Sequence, residues 1–295
     1  MNPATRLSRS QQAVGLVATS VNFPVVFAGL VAITIGASGD DEVALLNLWA
    51  LWGIAQSLLG QATQVSAVLD GRSWTDWRAL RVVPPVAVLT AVAAILFSDR
   101  LFPGHDDWWI ACLLLVIAVS VIGRQRGELA RRLDGASAVV IATLENSIRS
   151  AAVIMLLLAA TDNGSLLDWG AVAIVGPFVV SMALLANRIE SGAGADPDGP
   201  AVDRPTSMVG AVLSGLPALT AYAVVPGLSL LDRTDDLGAI AIAASLLRGP
   251  LLVATFLAPV LLERWVVGRA RAIPSWLSVA PLALLVLEVG VGLVG

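Results

Sequence analysis

Apolar residues in this chain fall in long runs broken by short polar stretches, without strict alternation. Nine runs are long enough to cross a bilayer: roughly Gln12–Gly36, Val43–Leu69, Val82–Phe97, Trp108–Gly123, Ala136–Ala160, Leu166–Ala186, Met208–Leu231, Leu237–Leu262 and Ser275–Gly295. Their length and the missing period of two predict helices rather than barrel strands. The third and fourth runs are the shortest. The pattern therefore predicts an all-α, polytopic membrane helix bundle of about nine transmembrane helices.

One polar stretch is unlike the others. Residues 189–206 (IESGAGADPDGPAVDRPT) are rich in Gly, Pro and Asp and lack apolar periodicity, which marks a linker. It divides a six-span lobe, residues 1–188, from three spans in residues 207–295. A weak repeat crosses it. Span one ends in Gly39-Asp40-Asp41 and span seven near Asp235-Asp236, with Ala44 and Ala239 in the same relation to the second aspartate. Spans two and eight end in Leu69-Asp70 and Leu262-Glu263, and a Trp/Arg-rich loop and a Pro-initiated span follow each. Both copies start on the same side, so the repeat is parallel, with the second copy cut to three helices.

Composition agrees with a membrane protein. The chain has 295 residues, 57% hydrophobic and 14% charged, with mean hydropathy +0.83. A net charge of −4 with no basic face excludes nucleic acid as a partner. Cys112 stands alone, so no internal disulfide forms. Residues 1–12 lead straight into a span without a small-residue cleavage site, so no cleavable leader is expected.

Every basic residue is arginine, and the arginines orient the chain. With the N-terminus in the cytoplasm, fourteen fall on the cytoplasmic side (Arg6, Arg9, Arg72, Arg78, Arg81, Arg124, Arg126, Arg131, Arg132, Arg188, Arg204, Arg264, Arg269 and Arg271). Only Arg100 and Arg233 fall outside. The positive-inside rule therefore predicts a multi-pass protein of the cytoplasmic (plasma) membrane, its C-terminus external. Trp74, Trp77, Trp108, Trp109, Trp169, Trp265 and Trp276 lie near span ends, as an interfacial belt would.

The candidate chemistry lies within the spans. Arg149 and Arg248 fall near mid-span, where an arginine costs roughly 2.5–3.5 kcal/mol on insertion scales. Glu145 and Arg149 are spaced i, i+4, so they can pair along one face. That pair either locks span five in the bundle or belongs to a ligand or ion pathway. Arg248 has no acid within a turn; Glu145, Glu288 or an anionic ligand could meet it. A guanidinium holds phosphate or carboxylate bidentately.

Small and polar residues also form stripes. Gly15, Thr19 and Asn22 mark span one; Gly53, Ser57, Gly60/Gln61 and Gln64 span two; Gly210, Ser214, Pro217 and Ala221 span seven; Ala241, Ser245 and Arg248 span eight. Such stripes serve close helix packing. Four of them on equivalent helices shift the balance towards a shared, water-accessible cavity.

No enzyme is expected. The pairs Asp40-Asp41, Asp106-Asp107 and Asp235-Asp236 fall outside, where acids answering helix dipoles explain them. His105, the sole histidine, has no Cys or His cluster around it, so neither a metal site nor a Ser-His-Asp arrangement is predicted. Walker, GxGxxG and nucleophile-elbow patterns are absent from the sequence, and no cofactor is implied.

The stretches RQRGELARRLDGASAVVIATLENSIRSAAVIMLLL and LGAIAIAASLLRGPLLVATFLAPVLLE resemble the fourth-to-fifth and eighth helix regions of polysaccharide-biosynthesis flippases. Those belong to the multidrug/oligosaccharidyl-lipid/polysaccharide exporter superfamily. The resemblance implies two parallel six-helix lobes forming a V around a cavity lined by helices one, two, seven and eight. It implies alternating-access movement of polyprenyl-diphosphate-linked sugars, with Arg149 and Arg248 meeting the anionic head group. The sequence departs from that pattern in lacking three helices of the second lobe. Three explanations stay open: a fragment of a twelve-helix protein, closure of the cavity by a second copy or partner subunit, and loss of transport. A non-transporting scaffold subunit of a polysaccharide assembly system and an ion-coupled drug exporter, with Glu145 as the titratable acid, remain the alternatives.

Overall fold

A computed structural model describes residues 9–70, 73–76, 80–81, 83–132, 134–161, 164–192 and 222–247. Among them every regular element is helical. The chain runs as α1 (Arg9–Gly36), α2 (Asp40–Ala55), a π-helical segment (Gln56–Gly60), α3 (Gln61–Asp70), α4 (Val83–Leu96), the one-turn α5 (Ser98–Leu101) and α6 (Trp109–Arg131). It continues through α7 (Gly135–Ala160), α8 (Gly170–Val175) and α9 (Pro177–Ser191). After the linker come α10, helical at 222–230, and α11 (Leu237–Leu247).

Four helical stretches are long and apolar enough to cross a membrane: Asp40–Val68, Asp106–Arg131, Gly135–Ala160 and Leu166–Ser191. Ser20–Gly36, Val83–Leu96 and Leu237–Leu246 are shorter apolar helices. Polarity is inverted relative to a water-soluble domain. Arg149 is 0% exposed, whereas Ile35 is 80% and Leu96 is 72% exposed. Charge inside and aliphatic side chains outside fit a bilayer as the surrounding solvent.

Small residues set the helix contacts, as expected where lipid removes the hydrophobic drive between helices. Helix α1 lies along α7: Thr143 donates to the Ala18 carbonyl (3.0 Å), Asn146 to Asn22 (2.8 Å) and Ser150 to the Val25 carbonyl (2.8 Å). Helix α3 meets α6 almost backbone to backbone. A Cβ on Gly123 would stand 2.4 Å from the Gly60 carbonyl oxygen, and one on Gly127 2.2 Å from that of Gln64.

Four features depart from the sequence reading. Span two is interrupted by the π-helical Gln56–Gly60 segment, which rotates α3 relative to α2. As a result the stripe of Gly53, Gly60 and their neighbours does not share one partner: Gly53 faces the Tyr222 ring and Gly60 lies against Val119 of α6. Span four, expected to end at Gly123, continues as α6 to Arg131 and carries Arg124 and Arg126 into the core, at 0% and 4% exposure. Span six is broken at Gly176–Pro177, because Pro177 cannot donate to the preceding turn. Helix α9 also runs to Ser191, into the stretch read as linker. The rest of that linker, the start of span seven, the end of span eight and all of span nine lie outside the described residues.

The bundle has two chemically distinct ends. At one, the Trp74 amide and Arg132 both bond Glu128 (2.9 and 2.5 Å), Arg132 donates to the Ile189 carbonyl, and Arg188 meets Asp134 at 2.6 Å. The other end is poor in arginine. There His105, stacked on Trp108, lies 2.9 Å from Asp41 and 3.5 Å from Asp168. Asp40, Asp41 and Glu42 form the first turn of α2, the place where acids favour a helix dipole.

Candidate functional site

Two regions are candidates, and they differ in chemistry. The first is a charged network around α7. Arg149 donates from Nη2 to Glu145 Oε1 (2.8 Å), from Nη1 to Asn146 Oδ1 (2.5 Å) and from Nε to the Ile174 carbonyl (2.8 Å). Ile174 lies just before the Gly176–Pro177 break, where the helical ladder is interrupted and a carbonyl can accept a side chain. The guanidinium is sandwiched between two rings, 4.4 Å from the Trp52 centroid and 4.7 Å from that of Phe178. Helices α2, α7, α8 and α9 thus all hold one side chain.

Glu145 serves a second arginine: Arg126 donates to its Oε2 at 3.1 Å. Both carboxylate oxygens are therefore engaged, and Glu145 is 2% exposed. Arg126 is held less completely, since its Nε has no partner among the described residues. The i, i+4 spacing exposed the Glu145–Arg149 pair in the sequence. Arg126, Trp52 and Phe178 carried no comparable signal, because their approach depends on how distant helices cross; Asn146, three positions before Arg149 on the same helix, was legible at i, i+3 spacing and was missed. Arg126 was masked further by sitting in a run that hydropathy assigns to a cytoplasmic apron.

The second region is a narrow crevice of about 10 Å³ between the first lobe and the elements after the linker. Phe23, Val26, Phe27 and Leu30 of α1 form one wall and Trp49 of α2 another. Tyr222 of α10 and Ser245 of α11 close it. Phe23 and Phe27 stack with centroids 5.9 Å apart. Among the described residues no charged side chain lines it.

The residues expected at a cavity are dispersed. Ser245 lines the crevice. Asn22 is buried in the α1–α7 seam and accepts from Asn146. Ser57, Gln61 and Gln64 are buried, at and just after the π segment. Thr19 lies on α1, but its side chain, Ser214, Arg248 and Glu288 all lie outside the described residues. Among the described residues no cluster of three or more His, Cys, Asp or Glu side chains could hold a metal ion.

Comparison with known proteins returns no match to a protein family, a curated protein or a solved structure.

Proposed function

We propose that this chain is a flippase-like membrane transport protein, moving a lipid-linked saccharide precursor across the cytoplasmic membrane by alternating access. On this reading nine spans form one six-helix lobe and part of a parallel second, and the passage runs between α1 and α2 on one side and α10 and α11 on the other. The observation that carries it is the crevice. Helices from before and after the linker meet around an aromatic-walled space, at the positions that correspond to spans one, two, seven and eight. At about 10 Å³ it is closed to anything larger than a water, but its aromatic and aliphatic walls suit an isoprenoid chain once the helices part; Arg248, which follows α11 directly in sequence, is the candidate for the diphosphate.

Arg149 and Glu145 take structural parts in this account. Every nitrogen of Arg149 has an acceptor within the bundle and two rings cover the faces of its guanidinium, which favours a structural part. The engagement of both Glu145 oxygens weighs against an ion-coupled drug exporter that would use this acid. It also lends weight to the scaffold reading, in which the bundle is rigid and serves a partner subunit.

The test is binding of a polyprenyl-diphosphate saccharide to the purified protein, followed by native mass spectrometry with a phospholipid as control. Selective binding that weakens in Arg248→Ala is expected. Binding no better than the phospholipid, together with Arg248→Ala silent in a complementation assay, would sink the transport reading. A stoichiometric partner on pull-down would then favour the scaffold.

A further inference from the structure

The elements after the linker are tied to the first lobe by polar contacts at the arginine-poor end, which the charge bias assigns outside. Asn47 of α2 is 0% exposed and Ser229 of α10 is 1% exposed. The Asn47 amide donates to Ser229 Oγ at 2.9 Å and to the Leu101 carbonyl at 3.0 Å. The Ser229 hydroxyl lies 3.2 Å from Asn47 Oδ1 and 3.1 Å from the Val225 carbonyl. Nearby, Arg100 meets Asp232 at 3.2 Å and donates to the Leu230 carbonyl. Arg100 therefore grips the last turn of α10, which stops where Asp232 takes a left-handed φ of 56°. At Gly238, the second residue of α11, a Cβ would stand 2.4 Å from both Glu42 Oε1 and Thr34 Cγ2, so α11 begins hard against α2 and α1.

We propose that Asn47, Ser229 and Arg100 form a releasable latch that shuts the passage at this end. The proposal rests on the transport reading above and names the joint that alternating access would have to open. Its chemistry suits a joint that moves. An apolar seam would expose hydrocarbon on parting, whereas an amide, a hydroxyl and an ion pair exchange their partners for water with little net loss. The Arg100–Asp232 pair is already half exposed, so it holds weakly and breaks readily. The first-lobe side is braced separately: His105 joins Asp41 at the start of α2 to Asp168 ahead of α8. The latch therefore has a fixed half on α2 and α5 and a moving half on α10 and α11.

The test reads opening directly and needs no substrate. Val225, buried at 4% one turn from Ser229, becomes the sole cysteine in a Val225→Cys, Cys112→Ala background. A membrane-impermeant maleimide is added from outside to the full chain in sealed cells. Slow labelling is expected in the background protein. Asn47→Ala should raise the rate about tenfold, the scale of one or two buried hydrogen bonds. Arg100→Ala, at an exposed position that leaves folding intact, should raise it about two- to threefold, in line with a weak surface pair. Flat labelling in the Asn47→Ala, Arg100→Ala double variant, with an unchanged melting profile, would overturn the latch. Saccharide binding with flat labelling defeats the latch and spares the transport reading. Faster labelling without saccharide binding does the reverse.

Discussion

The charged network around Arg149 and the crevice between α1, α2, α10 and α11 share Trp49 and Trp52 as neighbours on one helix, yet they are built on opposite terms. In the network every formal charge has a partner: two guanidinium groups share one carboxylate, and two aromatic rings cover the more buried cation. In the crevice no described lining residue is charged, and the walls are aromatic and aliphatic faces. Charge buried among the apolar helices is thus where this bundle is fixed. A midplane arginine in a sequence has two physical uses, and its partners decide between them.

The most damaging change should be Glu145→Ala, which strands two buried guanidinium groups at once. Removing one member of a buried ion pair costs about 3–5 kcal/mol, and tryptophan-monitored thermal unfolding in detergent should show a collapse in stability or no recoverable protein. A mild effect would mean that the network is hydrated and accessible, which erases the contrast with the crevice. Arg149→Lys comes next. It keeps the charge but loses the fork that reaches Asn146 and Ile174 and the flat face between Trp52 and Phe178, for a loss of about 2 kcal/mol or more. Lysine as good as arginine in the same unfolding assay would reduce Arg149 to a point charge.

Gly127→Ala tests the packing that carries Arg126 inward. Its Cβ would meet a backbone oxygen rather than a movable side chain, so about 1–3 kcal/mol of overpacking strain is expected. The crevice should behave otherwise. Ser245→Ala should leave stability within about 0.5 kcal/mol while weakening saccharide binding. If it destabilised as much as Gly127→Ala, the crevice would be ordinary core.

How far the sequence could reach follows from which signals are local. Run lengths placed α1, α4 and α7 closely, and the i, i+4 spacing exposed Glu145 and Arg149, because both are properties of one helix. Hydropathy stopped span four at Gly123, since a window reads Arg124 and Arg126 as water-facing; Glu145, nineteen positions on, is what lets Arg126 stay inside. The stripe on span two assumed 3.6 residues per turn throughout. A π segment at Gln56–Gly60 breaks that assumption and sends Gly53 and Gly60 to different neighbours. The Arg149 sandwich was beyond reach for the same reason as the Asn47–Ser229 contact, which joins residues 182 positions apart.

The most direct measurement of the account is flipping in proteoliposomes that carry a fluorescent polyprenyl-diphosphate saccharide, with an impermeant quencher added outside. The account predicts protein-dependent loss of the protected signal, slowed by Ser245→Trp, which fills the crevice, in a variant that melts like the parent. Protection equal to that of protein-free liposomes, or a Ser245→Trp variant as fast as the parent, would contradict it.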